Sequence, residues 1–179
     1  KMARAFSQLA SQLQDGDEGV LSLAYLTGPA ILGHPDARDV VMPAILRRVQ
    51  RGDQDRVLIW CGPTLEPFSD GTPEQVGIGG SETAVVEIAR RMAKEGFHVT
   101  VYNNPGPMEG PQNDEGSILY SHHTRFREDV RADLLVDWRR PIPNIGPLES
   151  VRHRWLWMHD LNLSGALTPE NTQPYDRVF

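Results

Sequence analysis

The segment Gly77-Ile78-Gly79-Gly80-Ser81-Glu82 constrains this chain more than any other, because it opens a helix that follows a buried strand. Val57-Leu58-Ile59-Trp60 is a continuous apolar run bounded by Asp55-Arg56 and Gly62-Pro63, the pattern of a strand covered on both faces of a parallel sheet. A Pro- and Gly-rich loop runs from Gly62 to Gly80. After it, Ala84, Val85, Ile88, Ala89 and Met92 recur on one helical face, with Ser81 placed to N-cap the helix and Gly96 to end it in a left-handed conformation. His98 to Tyr102 then alternates as a second strand. Strand, helix and strand make a βαβ unit with a right-handed crossover.

Further strands are predicted at Ser117 to Tyr120, Leu134 to Asp137 and Trp155 to Met158, with a last one starting near Arg177. The natural assembly is an α/β fold with an open, doubly wound, mostly parallel Rossmann-like sheet over 54–179. Residues 1–53 read as helices: Ala5, Phe6, Leu9 and Leu13 recur at helical spacing, as do Val40, Val41, Ala44, Ile45 and Val49, with a shorter apolar piece from Leu21 to Leu26 between them. They form a helical appendage or the end of a preceding domain. A first residue that is not Met and a strand that starts two residues before Phe179 lead to the expectation of a piece of a longer protein.

A chain that is 39% hydrophobic and 23% charged has the composition of an ordinary globular protein, which excludes disorder and collagen-like structure. The net charge is −6, and the imbalance is local: Arg56 to Tyr120 holds four basic and nine acidic residues, while Ser121 to Trp155 holds seven arginines against five acids. A nucleic-acid partner is not expected, since a phosphate-binding face needs a concentrated basic excess. The single Cys61 allows no internal disulfide; it reads as a small buried thiol and fits a reducing, cytoplasmic setting. No apolar run is long enough for a transmembrane segment.

In open parallel sheets ligands sit outside the carboxyl ends of the strands. Four groups follow strands here: Cys61-Gly62-Pro63, Asn103-Asn104, Trp138-Arg139-Arg140 and His159-Asp160. Gly79 and Gly80 allow two readings, a close backbone approach to an anion at the helix N-terminus or merely a tight start to the helix. His159 equally fits an acid–base or hydrogen-bonding role at the crevice, or a structural pair with Asp160. Three motifs fail. A dinucleotide fingerprint needs Gly at Glu82 and glycines directly after the strand; a Walker loop needs Gly-Lys-Ser/Thr; a nucleophile elbow on Ser81 needs Gly where Thr83 stands. His122, His123, His153 and His159 match no strong zinc spacing, so no metal is expected.

From Arg56 onward the chain resembles the N-terminal lobe of a family 4 glycosyltransferase, a retaining enzyme of the GT-B fold. The resemblance is carried by Arg56 to Trp60, by Gly77-Ile78-Gly79-Gly80-Ser81-Glu82-Thr83-Ala84-Val85-Val86, and by Met92-Ala93-Lys94-Glu95-Gly96-Phe97-His98-Val99-Thr100-Val101-Tyr102. Asp133 to Pro141, Trp155-Leu156-Trp157-Met158-His159-Asp160 and Tyr175-Asp176-Arg177-Val178-Phe179 follow in the same order. It implies transfer of a sugar from a nucleotide-sugar donor to an acceptor, with retention at the anomeric carbon, in a cleft shared with a C-terminal lobe. Gly79, Gly80 and Ser81 then lie by the donor phosphates and acceptor, His159 is the catalytic position that approaches the donor sugar, and Arg139 binds from another strand end. No cofactor or metal is implied.

Two other readings compete. A lobe of this fold can serve as a non-catalytic carbohydrate-binding or assembly module. A nicotinamide-dependent oxidoreductase shares the architecture but lacks the fingerprint. Acceptor choice is expected in the loops Thr64 to Val76 and Pro105 to Gly116, whose composition suggests mobile surface segments. Trp155 and Trp157 read as core packing.

Overall fold

The computed structural model describes residues 20, 35–51, 55–112, 117–143, 145–146, 148–159 and 167–179, with the backbone alone over 44–51. The chain divides into two compact units, Lys1–Asp53 with Pro107–Gly110, and Gln54–Gly106 with Pro111–Phe179. In the first unit, helix α1 (Pro35–Arg51) buries Ala37, Val41 and Met42, matching the expected helical face at Val41. Arg38 Nη2 donates to the Pro107 carbonyl at 3.1 Å, and Arg38 Nε lies 3.7 Å from the buried Glu109 carboxylate. The helices expected around Ala5 to Leu13 and Leu21 to Leu26 lie outside the described residues.

The sheet belongs to the grammar that begins at Arg56. Its strands are β1 (Arg56–Trp60), β2 (His98–Asn103), β3 (Gly110–Pro111), β4 (Ile118–His122), β5 (Ala132–Trp138), β6 (Val151–Trp157) and β7 (Arg177–Val178), in the order β3-β4-β2-β1-β5-β6-β7. From β4 to β7 every neighbouring pair is parallel. Set the two-residue β3 aside and the sequence rank across the sheet is 3-2-1-4-5-6, an order compatible with a Rossmann-like fold.

Helix α2 (Thr72–Gln75) is a single turn, and α3 (Gly80–Lys94) is the crossover from β1 to β2. Val85, Val86 and Ala89 of α3 are fully buried against Val57, Ile59, Val99, Val101, Ile118, Tyr120, Val136 and Trp138. The alternate residues Leu58, Trp60, Thr100, Tyr102, Leu119, Leu135 and Leu156 are buried as well, so β1 is covered on both faces as its unbroken apolar run requires. The α3 helix ends as expected at Gly96, which has φ +95°. Gly96 N–H donates to the Ala93 carbonyl at 3.0 Å and Phe97 N–H to the Met92 carbonyl at 3.1 Å, the paired bonds that close a helix through a left-handed residue.

Two expectations need correction. Strand β6 begins at Val151, ahead of the apolar run at Trp155, because its first half carries Arg152, His153 and Arg154. Arg152 and His153 face solvent, while Arg154 is buried with its charge met inside the protein. The middle of the loop from Thr64 to Val76 is held rather than loose. Phe68 is 1% exposed in the core under α3; its N–H donates to the Asn104 carbonyl at 3.0 Å, and its carbonyl accepts from Asn103 Nδ2 at 2.7 Å. Arg90 on α3 adds bonds to the Asp70 side chain at 3.0 Å, the Asp70 carbonyl at 2.6 Å and Glu74 at 2.7 Å.

On the face opposite α3 a buried ion pair joins β5 to β6 and to the residues that lead into β7. Asp137 of β5 is 0% exposed, and its Oδ2 accepts from Arg154 Nη2 at 2.8 Å, from Ile142 N–H at 3.1 Å and from the Tyr175 hydroxyl. Arg154 Nη1 donates to the Gly146 carbonyl at 3.1 Å, and Arg154 N–H donates to Asp176 Oδ2 at 2.8 Å. Burial pushes the Asp137 carboxyl up, while the Arg154 guanidinium and the Tyr175 hydroxyl pull it back. Removing one partner leaves the other charge uncompensated in the interior. Arg154→Met is therefore expected to lower unfolding stability by about 3–5 kcal/mol in urea titration, and Asp137→Leu combined with Arg154→Met to recover much of it.

Candidate functional site

Strand β1 is followed in the sheet by β2 on one side and β5 on the other, so the winding reverses between β1 and β5. A crevice opens at such a reversal, outside the carboxyl ends of the strands. Cys61 and Gly62 follow β1, Arg139 and Arg140 follow β5, and Met158 and His159 follow β6. The N-terminus of α3 faces the same edge, brought there by contacts that sequence distance does not suggest.

Arg139 makes that connection. Its Nη2 donates to Ser81 Oγ at 3.0 Å and its Nη1 to Glu82 Oε1 at 3.3 Å, while its guanidinium carbon lies 4.3 Å from the centre of the Trp138 ring. In an extended strand Arg139 would point away from the face that Trp138 packs on. Its φ of +67° turns the chain back, and its N–H still donates to the Trp157 carbonyl at 2.8 Å. Among the described residues it is the one non-glycine with positive φ, a conformation that costs energy and persists where surrounding contacts over-determine it.

The glycine pair is the second element. Gly79, not Ser81, is the N-cap of α3, and it has φ −57° and ψ 154°, which any residue adopts. Gly80 is the first helical residue, and a Cβ added to it would meet nothing within 4 Å. A Cβ on Gly79 would press only on Oε2 of the flexible Glu82 side chain, whose carboxylate folds back beside it. Backbone strain therefore requires neither glycine and packing does not require Gly80, whereas a Cβ on Gly79 would displace the carboxylate that Glu82 holds toward Arg139; Gly62, by contrast, has φ +67° and its added Cβ would fall 2.6 Å from Trp60 Cη2. What the pair does supply is an exposed helix N-terminus, open at Gly80 and with the Glu82 carboxylate beside Gly79.

His159 is half-buried, with its ring 4.4 Å from that of Trp157 and 5.9 Å from that of Trp138. Trp138 also carries the Arg139 guanidinium, so both polar groups rest on one aromatic cluster. Trp157 packs against the core as expected, whereas the half-buried Trp155 meets Phe179 edge-on at 5.5 Å. Asp160 lies outside the described residues.

The remaining strand-end groups are structural. Asn103 and Asn104 hold the loop at Phe68. His122 and His123 stack on each other at 4.5 Å, and His122 Nδ1 lies 2.8 Å from Thr124 Oγ1. Burial, followed by the charges of His122 and Arg140, pushes the His123 imidazole down. No cluster of three or more His, Cys, Asp or Glu among the described residues is arranged to hold a metal ion, and no described helix is long and apolar enough to cross a membrane.

The sequence singled out Gly79, Gly80, Ser81, Arg139 and His159. The structure joins Arg139 to Ser81 and sets Arg139 and His159 against the same indole. Two residues were missed as members of this cluster, Glu82 and Trp138. The position of Glu82 in the first turn of the helix and the Trp-Arg pair at a strand end were the signals available. Neither a scan of family models nor a search of curated proteins found a match to this chain.

Cys61 sits beneath the cluster at 3% exposure. Burial pushes its thiol far up, the Glu82 carboxylate adds to this, and the Arg139 guanidinium pulls back. An aromatic disulfide reagent at pH 8 is expected to label Cys61 at least about a hundredfold more slowly in the native protein than in guanidinium chloride, since the thiolate is the reactive form. Equal rates would place the thiol in contact with solvent.

Proposed function

We propose that this chain is the acceptor-side lobe of a retaining glycosyltransferase that moves a sugar from a nucleotide-sugar donor to an acceptor. The observation that carries the reading is the exposed glycine start of α3, where a Cβ on Gly80 would meet nothing within 4 Å, facing an edge that also holds Arg139 and His159. A departing nucleotide diphosphate develops negative charge, and a helix N-terminus with a guanidinium nearby is suited to receive it. His159, at the end of β6, reaches the donor sugar in this reading, as hydrogen-bond donor or as acid and base. Gly79, Gly80 and Ser81 lie along the phosphates and the acceptor. The C-terminal lobe supplies the other half of the donor cleft, including paired glutamates and most of the contacts to the nucleotide.

Under this proposal the 179-residue chain binds sugar nucleotides weakly or not at all, and calorimetry showing tight donor binding to it would contradict the division of the site. In a two-lobed protein containing this chain, His159→Ala is expected to lower kcat by about a hundredfold or more while leaving the melting temperature in place. Full turnover in that variant would remove the role of His159. Gly80→Ala offers an orthogonal test: it adds a methyl group to open space, so stability is expected to stay or to rise by up to about 1 kcal/mol, while donor turnover falls.

A further inference from the structure

The geometry points to Trp138 as a positioning residue shared by Arg139 and His159, a single indole that, together with the Ser81 and Glu82 bonds to Arg139, orients both polar groups at the crevice. Trp138 is the last residue of β5 and is 2% exposed. The Arg139 guanidinium lies against its ring at 4.3 Å, and the His159 imidazole meets it at 5.9 Å with 60° between the planes. A cation on the face and an aromatic ring near edge-on are the two arrangements that an indole quadrupole favours, and one ring accommodates both.

The ring packs in the core cluster with Val85, Val86 and Ala89 of α3. Its backbone is held by the strand: Trp138 is paired in register with Trp157, and the strand extensions beyond them remain bonded, Arg139 N–H to the Trp157 carbonyl at 2.8 Å and Met158 N–H to the Phe179 carbonyl at 2.9 Å. Its indole N–H has no hydrogen-bond partner among the described residues. Trp157 plays a narrower part. Its ring lies 4.4 Å from that of His159.

As a statement about catalysis this rests on the transferase reading; as a statement about side-chain order it does not. The test is NMR on the intact 179-residue chain, following the NOEs from the His159 ring to Trp157 and from the Arg139 side chain to Ser81, which report side-chain direction and not the ring current of the substituted indole. Trp138→Leu is expected to weaken both NOEs together, with other resonances in place. Trp157→Leu is expected to leave the Arg139–Ser81 NOE intact. Trp138→Phe, which keeps an aromatic face, is expected to retain most of both. If Trp138→Leu does not fold, Trp138→Met, apolar but without a ring, takes its place with the same expectation. The assignment is overturned if both NOEs survive the loss of the indole, if only one weakens, or if Trp157→Leu weakens the Arg139–Ser81 NOE as far. Unchanged turnover for His159→Ala in a two-lobed protein would remove the catalytic role of His159 without altering this NMR readout.

Discussion

The contact between Asp137 and Arg154 is the constraint on which the second half of the sheet depends. A carboxylate at 0% exposure is tolerated inside a protein only when its charge is met, and at Asp137 this falls to Oδ2 alone, since Oδ1 has no hydrogen-bond partner among the described residues. Here Arg154, Ile142 and Tyr175 converge on one oxygen, which fastens β6 and the approach to β7 onto β5. The strands so aligned end together. Their ends, Trp138 and Trp157, stand side by side on the opposite face, and the aromatic cluster under Arg139 and His159 follows from that register.

The α3 side of the sheet is held differently, by apolar burial. Val85, Val86 and Ala89 press the helix onto β1 and β2, and Phe68 joins the same buried cluster. The long loop after β1 is consequently anchored at its middle, with Arg90 binding Asp70 and Glu74 from the helix side. Exposed apolar side chains on this loop are confined to its flanks, at Leu65 and Val76. An anchored loop fixes where the glycine start of α3 emerges, and so keeps that start beside Arg139.

Much of the architecture was legible from periodicity. Unbroken apolar runs announced β1 and the end of β6, alternation announced β2, and the face of α3 was visible at helical spacing through Ala89. The failures have physical causes. The first half of β6 was hidden because a buried arginine looks like a surface one until its partner is known. The loop after β1 looked mobile because Pro, Gly and acidic residues dominate it, and one buried phenylalanine outweighed them. The N-cap moved from Ser81 to Gly79 because the serine hydroxyl binds Arg139 instead of its own helix.

By itself the sequence determined the βαβ unit, the parallel sheet, and which residues stand at strand ends, since these depend on local propensity and on the spacing of apolar positions along the chain. Only the tertiary structure decided which strand ends become neighbours. It placed β5 against β1, turned Arg139 back through a positive φ toward the α3 N-terminus, and brought Arg139 and His159 to one indole. Such contacts join residues far apart in sequence, and their geometry is set by strand register and buried charge, neither of which leaves a periodic trace in the chain.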